Sequence, residues 1–262
     1  MHKKFFRSET LLKAFDFEPR HLLRCRASNV PLAAMSLVSP SLSPSIAAIA
    51  PGFRALSIHV SACPVLAPAV AVEATERALA ALKAGTPSWA DAHMDAWARV
   101  FRTFGAKPQR TPCSADALRK RAARDGGLPQ IDPIVDLYNA ISVQFAVPVG
   151  GENLEAYRGS PRLVIADGSE TFDSIKNGEP AVESPEKGEV VWRDDLGVTC
   201  RRWNWRQGVR TRLDQHATRM WFILESLPEM PIEALHEAGD TLEREILRMM
   251  PVSLVQSEML RT

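Results

Sequence analysis

The chain has 262 residues, of which 45% are hydrophobic, so it can bury one sizeable core and is neither disordered nor fibrous. Its formal net charge is only +1, and any binding to nucleic acid therefore needs locally segregated charge. That segregation is present. Residues 99–124 hold eight basic side chains and one acid, whereas residues 167–195 hold nine acids and three bases.

The cysteines and histidines give no sign of a metal centre. The four cysteines are far apart, and the six histidines form no HxxxH cluster. The longest apolar run, at residues 46–51, is too short to span a bilayer. We therefore predict a reduced, cytoplasmic protein with no metal, no cofactor and no membrane partner.

The first 49 residues mix basic side chains with a Ser/Pro/Leu stretch and lack the apolar region and cleavage site of a secretory signal. An amphipathic organelle leader is an alternative, against which Glu9, Asp16 and Glu18 count. We predict a poorly ordered extension over residues 1–49, with Met35 as an alternative initiator, and one domain over residues 50–262.

The first half of this domain is predicted to be one strand followed by helices. The strand covers residues 53–60, and helices cover 72–84, 88–104 and 114–123. Ser88 stands three residues before Asp91, a near capping box. The strongest helix signal is Asp132 as N-cap followed by Pro133 at the first helical position.

The second half changes to short strands separated by turn residues. Strands are predicted at residues 162–166, 170–172, 188–193, 198–203 and 221–227, and a final helix at 231–249. The order predicts a single α+β domain, with mixed helices packed on a central sheet that resembles a β-barrel.

Motifs for acyl-serine, phosphate-loop, dinucleotide and zinc-deaminase chemistry are absent from the sequence. The most distinctive run is residues 200–212, which holds five arginines, two tryptophans, Asn and Gln without an acid. Guanidinium groups suit phosphates and indoles suit unpaired bases, so the run could bind a single-stranded RNA end. Equally, its tryptophans could be core and its arginines could pair with the acids of residues 167–195.

A second constellation covers residues 148–155, where Gly150 and Gly151 precede Glu152 and Glu155. The glycines let a ligand approach the backbone, and a carboxylate could orient water or bind an amine. A surface loop with solvated acids is the plainer interpretation. Cys200 has no nearby histidine in sequence and is predicted to be an inert thiol.

Taken together and in order, three segments of the chain resemble the tRNA-binding, B-three/B-four type editing domain of the phenylalanyl-tRNA synthetase beta subunit. Residues 200–207 resemble the form typical of its free-standing relatives, and the likeness covers about residues 50–250. The three segments are residues 131–140, 150–157 and 188–199.

The resemblance implies a pocket that hydrolyses the ester of wrongly charged tRNA. It gives Asn139 a role in this pocket and aligns Glu155 with a histidine of the synthetase. A Gly-Gly-Glu stretch of the synthetase domain is replaced in this chain by Trp203-Asn204-Trp205. The residues predicted to catalyse are Asn139, Glu152, Glu155 and Thr199. The residues predicted to bind substrate or RNA are Gly150, Gly151, Arg201, Arg202, Trp203, Asn204, Trp205, Arg206 and Gln207.

Three functions follow as hypotheses. The first is deacylation of mischarged tRNA in trans, with transient contact to the translation machinery. The second is a non-catalytic module that binds tRNA or an amino acid. The third is an enzyme acting on a free small molecule, whose turnover would be insensitive to salt.

Overall fold

A four-stranded antiparallel sheet lies at the centre of the computed structural model, which describes residues 39–262. The strand order of this central sheet is β11-β2-β10-β3. The strands are β2 (Arg54–Ser61), β3 (Val149–Asn153), β10 (Arg219–Ser226) and β11 (Leu254–Arg261).

Side-chain alternation along β10 divides the core into two layers. Phe222 and Leu224 face one side of the central sheet, and Trp221 and Ile223 face the other. All four side chains are almost completely buried, because both faces of the sheet are covered. Such a strand reads as a continuous apolar run, which is why it could be predicted from sequence.

Helices cover the first face of the central sheet. Helices α2, α5 and α6 share a core there with Leu56, Ile58 and Val60 of β2, whereas α3 contributes to the core on the other face. The helices are α1 (Ile46–Ile49), α2 (Ala69–Lys83), α3 (Ala90–Thr103), α4 (Ser114–Asp125), α5 (Pro133–Phe145) and α6 (Ile232–Met249).

A second sheet packs against the other face of the central sheet. Its strand order is β1-β4-β7-β8-β5-β6, and β9 pairs with β8. Trp192 and Trp203 of this layer share a core with Trp97 and Phe53. The strands are β1 (Ser41–Leu42), β4 (Arg162–Ile165), β5 (Phe172–Lys176), β6 (Glu179–Glu183), β7 (Val190–Arg193), β8 (Val198–Arg201) and β9 (Arg206–Gln207).

The predicted α+β class is confirmed, but the barrel-like centre is not. Among the described residues the strands form two open sheets that stack through their apolar faces, and neither closes on itself. Short strands with alternating patterns are common to stacked sheets and barrels, so the sequence pattern could not separate the two arrangements.

Capping residues were predicted for two helices, with different outcomes. Asp132 caps α5 as expected, since its Oδ1 accepts a hydrogen bond from the backbone N–H of Ile134 at 2.9 Å. The capping box at Ser88 is wrong. Helix α3 begins at Ala90 after Trp89, and no side chain caps it.

Five strands were absent from the sequence prediction: β1 and β9, which are each two residues long, and three longer strands. The segment with Gly150 and Gly151 was assigned to a loop but forms β3, and the chain continues past α6 into β11. The third, β6, is a partly exposed strand of five residues. β11 lies at a sheet edge and is mostly exposed, so it lacks the apolar alternation by which strands are recognised.

The packed structure begins before residue 50. Ser41 and Leu42 pair in parallel with Arg162 and Leu163 of β4, and Ile46 is fully buried. The predicted extension ran to residue 49, and its first 38 residues lie outside the part of the chain that the structure describes.

Candidate functional site

A cavity of about 150 Å³ lies between the two sheets, beside the middle of α5. Its mouth is formed by half-buried side chains, among them Asn139, Trp205 and Gln207. The lining residues are Ser114, Tyr138, Asn139, Val149, Gly150, Gly151, Glu152, Trp192, Cys200, Trp203, Asn204, Trp205, Gln207, Trp221, Ile223 and Glu225.

The two glycines of β3 make room for this cavity and for the helix behind it. A Cβ on Gly151 would lie 2.7 Å from Cε1 of Tyr138, closer than real Cβ atoms come to a neighbour. A Cβ on Gly150 would meet Cγ2 of Ile223 at 3.2 Å, on the cavity side of the sheet. Glycine is therefore required at position 151 by the close approach of α5.

Glu225 of β10 is a fully buried carboxylate at one side of the cavity. Its Oε1 accepts hydrogen bonds from the indole N–H groups of Trp192 (2.8 Å) and Trp203 (3.0 Å), and its Oε2 accepts one from Asn204 Nδ2 (2.9 Å). Burial raises the pKa of Glu225 to about 7, and these three donors oppose the rise. The group therefore changes charge near neutral pH.

Glu152 of β3 is the second buried carboxyl group of the cavity. The Tyr157 hydroxyl donates to its Oε2 and also lies 3.2 Å from Oγ1 of Thr199. Burial raises the pKa of Glu152 to about 7, against the hydrogen bonds that stabilise the anion. A carboxyl group that is part ionised at neutral pH suits general acid–base chemistry.

An unusual turn brings Trp203 and Asn204 to Glu225. Arg202 and Trp203 have φ angles of +47° and +66°, a left-handed backbone conformation that residues other than glycine rarely adopt. The turn sends Trp203 into the core, where Phe53 and Trp97 pack edge-on against its ring. Strain of this kind is concentrated at functional positions, and here it fixes one wall of the cavity.

Arg201 is not available to RNA, contrary to the sequence prediction. Its side chain is 8% exposed, and its guanidinium binds both carboxylate oxygens of Glu189, at 3.0 and 2.8 Å. It also donates to Glu183 at 3.2 Å. For Arg201 the alternative interpretation, a partner for the acidic stretch, is correct.

Arg202 and Arg206 fit both interpretations, exposure toward a possible RNA and ion pairing with the acidic stretch. Each is partly exposed, and each also lies near an acid, Arg202 at 3.8 Å from Glu189 and Arg206 at 3.4 Å from Glu183. The Arg202 guanidinium stacks on Trp205 with 4.7 Å between the guanidinium carbon and the ring centroid. These two arginines and Trp205 form a cationic, aromatic rim beside the cavity.

Asn139 and Ser114 supply polar groups at the mouth that are free for a ligand. Ser114 Oγ is buried and has no hydrogen-bond partner, and the Asn139 amide makes no hydrogen bond within residues 39–262. Gln207 is occupied, because its Nε2 donates to the carbonyl oxygen of Gly151 at 2.8 Å. The predicted pocket position of Asn139 agrees with this arrangement.

Glu155 lies outside the cavity, unlike the other predicted acid. It is exposed after β3, where it accepts a hydrogen bond from Thr218 Oγ1 at 2.7 Å. Thr199 is buried and does not line the cavity; its hydroxyl lies 3.2 Å from the Tyr157 hydroxyl and helps to stabilise the Glu152 anion, which opposes the rise that burial causes in the pKa of Glu152. Of the four residues predicted to catalyse, Asn139 and Glu152 line the cavity.

The sequence did not reveal Glu225, Trp192, Trp221 or Tyr157 as site residues. Glu225 ends an apolar strand, and an acid in that position reads as the point where the strand reaches solvent. The only available signal is the clustering of several tryptophans around a buried acid. That clustering depends on contacts between residues that are distant in sequence.

The model of the B3/4 domain family matches residues 96–240, more than half of the chain. The chain belongs to the B3/4 domain family. The matched residues of this B3/4 domain include every residue that lines the cavity. The domain type expected from the sequence resemblance is thereby confirmed.

Two further comparisons concern this B3/4 protein. It is similar to a solved N-terminal fragment of the phenylalanyl-tRNA synthetase beta subunit from Pyrococcus horikoshii, with 8% identity and a TM-score of 0.46. That match covers 86% of this chain and 54% of the fragment, so the chain spans about half the fragment's length. No curated protein matches the sequence.

Membrane and metal features were searched in the described part of the B3/4 protein. No helix between residues 39 and 262 is long and apolar enough to cross a bilayer. The same residues contain no group of three or more His, Cys, Asp or Glu side chains placed to hold a metal ion.

Proposed function

We propose that this B3/4 domain binds the aminoacylated end of a tRNA and hydrolyses the ester of a wrongly attached amino acid in trans. The observation that carries the proposal is the buried Glu152 carboxyl group, whose pKa is about 7, inside a cavity with an open mouth. The family membership and the sequence motifs shared with the synthetase editing domain support a tRNA substrate.

The proposed chemistry uses groups that line the cavity. Ionised Glu152 takes a proton from a water molecule as the water oxygen attacks the ester carbonyl carbon. The tetrahedral oxyanion is stabilised by the Asn139 amide and the Ser114 hydroxyl, whose hydrogen-bonding capacity is unused in the described structure. Protonated Glu152 then gives its proton to the ribose oxygen as the carbon–oxygen bond breaks, which releases the amino acid and the uncharged tRNA.

The proposed path for the RNA backbone leads to the mouth over Lys107 and Arg110. Both side chains are exposed, and neither forms an ion pair within the described residues. They lie in the turn just before Ser114, the first residue of α4 and part of the cavity mouth. Phosphates held there would direct the terminal ribose toward the cavity, alongside the rim of Arg202, Trp205 and Arg206.

A non-catalytic binding module is the second candidate, and one observation favours it. Glu155, the position that the resemblance aligns with a synthetase histidine, points away from the cavity. Loss of a polar group from that place removes a candidate catalytic or orienting side chain. In this case the cavity would still bind an aminoacyl group without hydrolysing its ester.

Incubation with a panel of mischarged tRNAs separates the two candidates. We expect at least one labelled aminoacyl ester to be lost faster than in buffer, and Glu152→Gln to slow this loss by about 100-fold or more. Glu237→Gln is the matched control, because Glu237 is exposed on α6 and does not line the cavity. Retained tRNA affinity with no ester loss on any tRNA would reject hydrolysis and favour the binding module.

A further inference from the structure

The cavity has an unusual chemical composition. Four of the six tryptophans of the chain line it, namely Trp192, Trp203, Trp205 and Trp221. The only charged side chains among the described lining residues are the carboxyl groups of Glu152 and Glu225, because no Lys, Arg or His lines the cavity. A cavity lined by indoles and acids, without a base, favours a cation.

The aromatic walls are held rigidly. Trp192, Trp203 and Trp221 are each at most 2% exposed, and the Trp192 and Trp221 rings meet edge to face with centroids 5.2 Å apart. Trp205, at the mouth, stacks on the Arg202 guanidinium, which is an example of the attraction between an indole ring and a cation. Rigid indoles on several sides are the arrangement by which proteins recognise organic ammonium groups.

The acids lie at two ends of the cavity. Glu152 pairs across the sheet with Trp221, and Glu225 stands four residues further along the same strand, on the same face. Four residues of a strand span about 13 Å, so the two carboxyl groups approach the cavity from opposite ends. Glu225 accepts three hydrogen bonds, and a carboxylate has about four acceptor positions, which leaves one for a ligand.

We infer that the cavity is a recognition site for an organic ammonium group, enclosed by the four indoles and neutralised by Glu152 and Glu225. A cavity of about 150 Å³ holds a benzene-sized ligand, and a trimethylammonium group is of that class. As a statement about the substrate the inference rests on the proposed function: the aminoacyl group then enters with its ammonium against the tryptophans. As a statement about binding it concerns the cavity alone.

Choline and its neutral carbon isostere, 3,3-dimethylbutan-1-ol, test the inference on the full chain. The two probes share size and shape and differ in charge. Titration calorimetry should give choline an affinity at least about tenfold higher, because the neutral probe gains no attraction to ring faces or carboxylates. Equal affinities, tighter binding of the alcohol, or no binding of either probe would overturn the inference.

Three variants, two at Trp205 and one at Glu225, assign the selectivity to the rings and the acids. Trp205→Leu should remove most of the preference for choline, and Trp205→Phe should keep part of it, since phenyl rings also attract cations. Trp205 is half-buried, so both variants should fold, which thermal unfolding checks. A preference unchanged in Trp205→Leu and in Glu225→Gln would overturn the assignment to this cavity.

The two proposals can fail separately. Selective choline binding with no deacylation of any tRNA would leave the ammonium site in place and remove the hydrolase. Deacylation by a protein that binds both probes equally would do the reverse.

Discussion

The indole N–H of Trp203 donates to Oε1 of Glu225 at 3.0 Å, and both side chains are almost fully buried. One residue belongs to a strained turn beside the second sheet and the other to the central sheet. Trp203→Phe removes the donor and leaves a buried carboxylate short of one partner. We expect the free energy of unfolding to fall by about 1–3 kcal/mol. Urea denaturation at pH 7.5 measures it, and a loss no greater than that of an exposed substitution such as Glu237→Gln would contradict the expectation.

The buried acids predict a pH dependence of stability. Burial raises the pKa of Glu225 and Glu152 to about 7, from an unfolded value near 4.5. Between these values the folded state binds more protons at these two groups than the unfolded state does, so their contribution to stability is fully present below pH 4.5 and is lost as pH rises through 7. A rise of this size in pKa corresponds to at most about 3 kcal/mol of folding free energy for each group.

Denaturation of Glu152→Gln at pH 5 and pH 7.5 checks this sign. The glutamine cannot ionise, so the variant should lose less stability than the wild type between the two pH values. The Glu237→Gln control should retain the wild-type difference, because Glu237 is exposed. Identical pH dependence in Glu152→Gln and wild type would show that Glu152 does not titrate in this range.

The basic residues divide into structural and RNA-facing groups. Arg201→Ala removes the guanidinium that binds both oxygens of the buried Glu189 carboxylate, leaves only the more distant Arg202 guanidinium, and should cost about 3–5 kcal/mol of stability. Lys107→Ala with Arg110→Ala should leave stability nearly unchanged, because both side chains are exposed. The double variant should weaken tRNA binding and reduce the slope of log K against log salt by up to about 2. An unchanged slope would remove both residues from the RNA path.

The adjacent glycines of β3 offer a matched pair. Gly151→Ala places a methyl group 2.7 Å from the Tyr138 ring and should destabilise the fold by about 1–3 kcal/mol. Gly150→Ala points into the cavity, where only Ile223 lies close, so it should reduce ligand affinity more than stability. Choline titration and thermal unfolding of both variants measure the contrast. Equal effects of the two alanines on both quantities would reject this division of the sheet faces.

Local chemistry decided which parts of the fold could be predicted. Asp132 and Pro133 define a helix start without reference to the rest of the chain, and the apolar run of β10 is visible because both its faces are buried. Gly150 and Gly151 were assigned to a loop, since glycine is ordinarily a turn residue, yet the approach of Tyr138 requires them in a strand. Tertiary contact overrode local preference there.

The site was predictable only in part, for a related reason. Asn139 and Glu152 were selected by motif and do line the cavity. Glu155 and Arg201 were also selected from sequence patterns, but Glu155 binds Thr218 outside the cavity and Arg201 binds Glu189. Glu225 carries no motif at all. Its importance comes from three donors brought to it by Trp192, Trp203 and Asn204, and the first two of these are 33 and 22 residues away.

The three hydrogen bonds to Glu225 join two separate sheets through a single side chain. Separation of the two sheets would break all three hydrogen bonds to Glu225 at once. The sheets therefore cannot move apart to admit a ligand without a large free-energy cost. Access is therefore limited to the edge where Trp205 and Asn139 lie, and backbone amides of β7 and β10 should exchange with deuterium as one cooperative block. Occupancy of the cavity would slow that exchange on both sheets together.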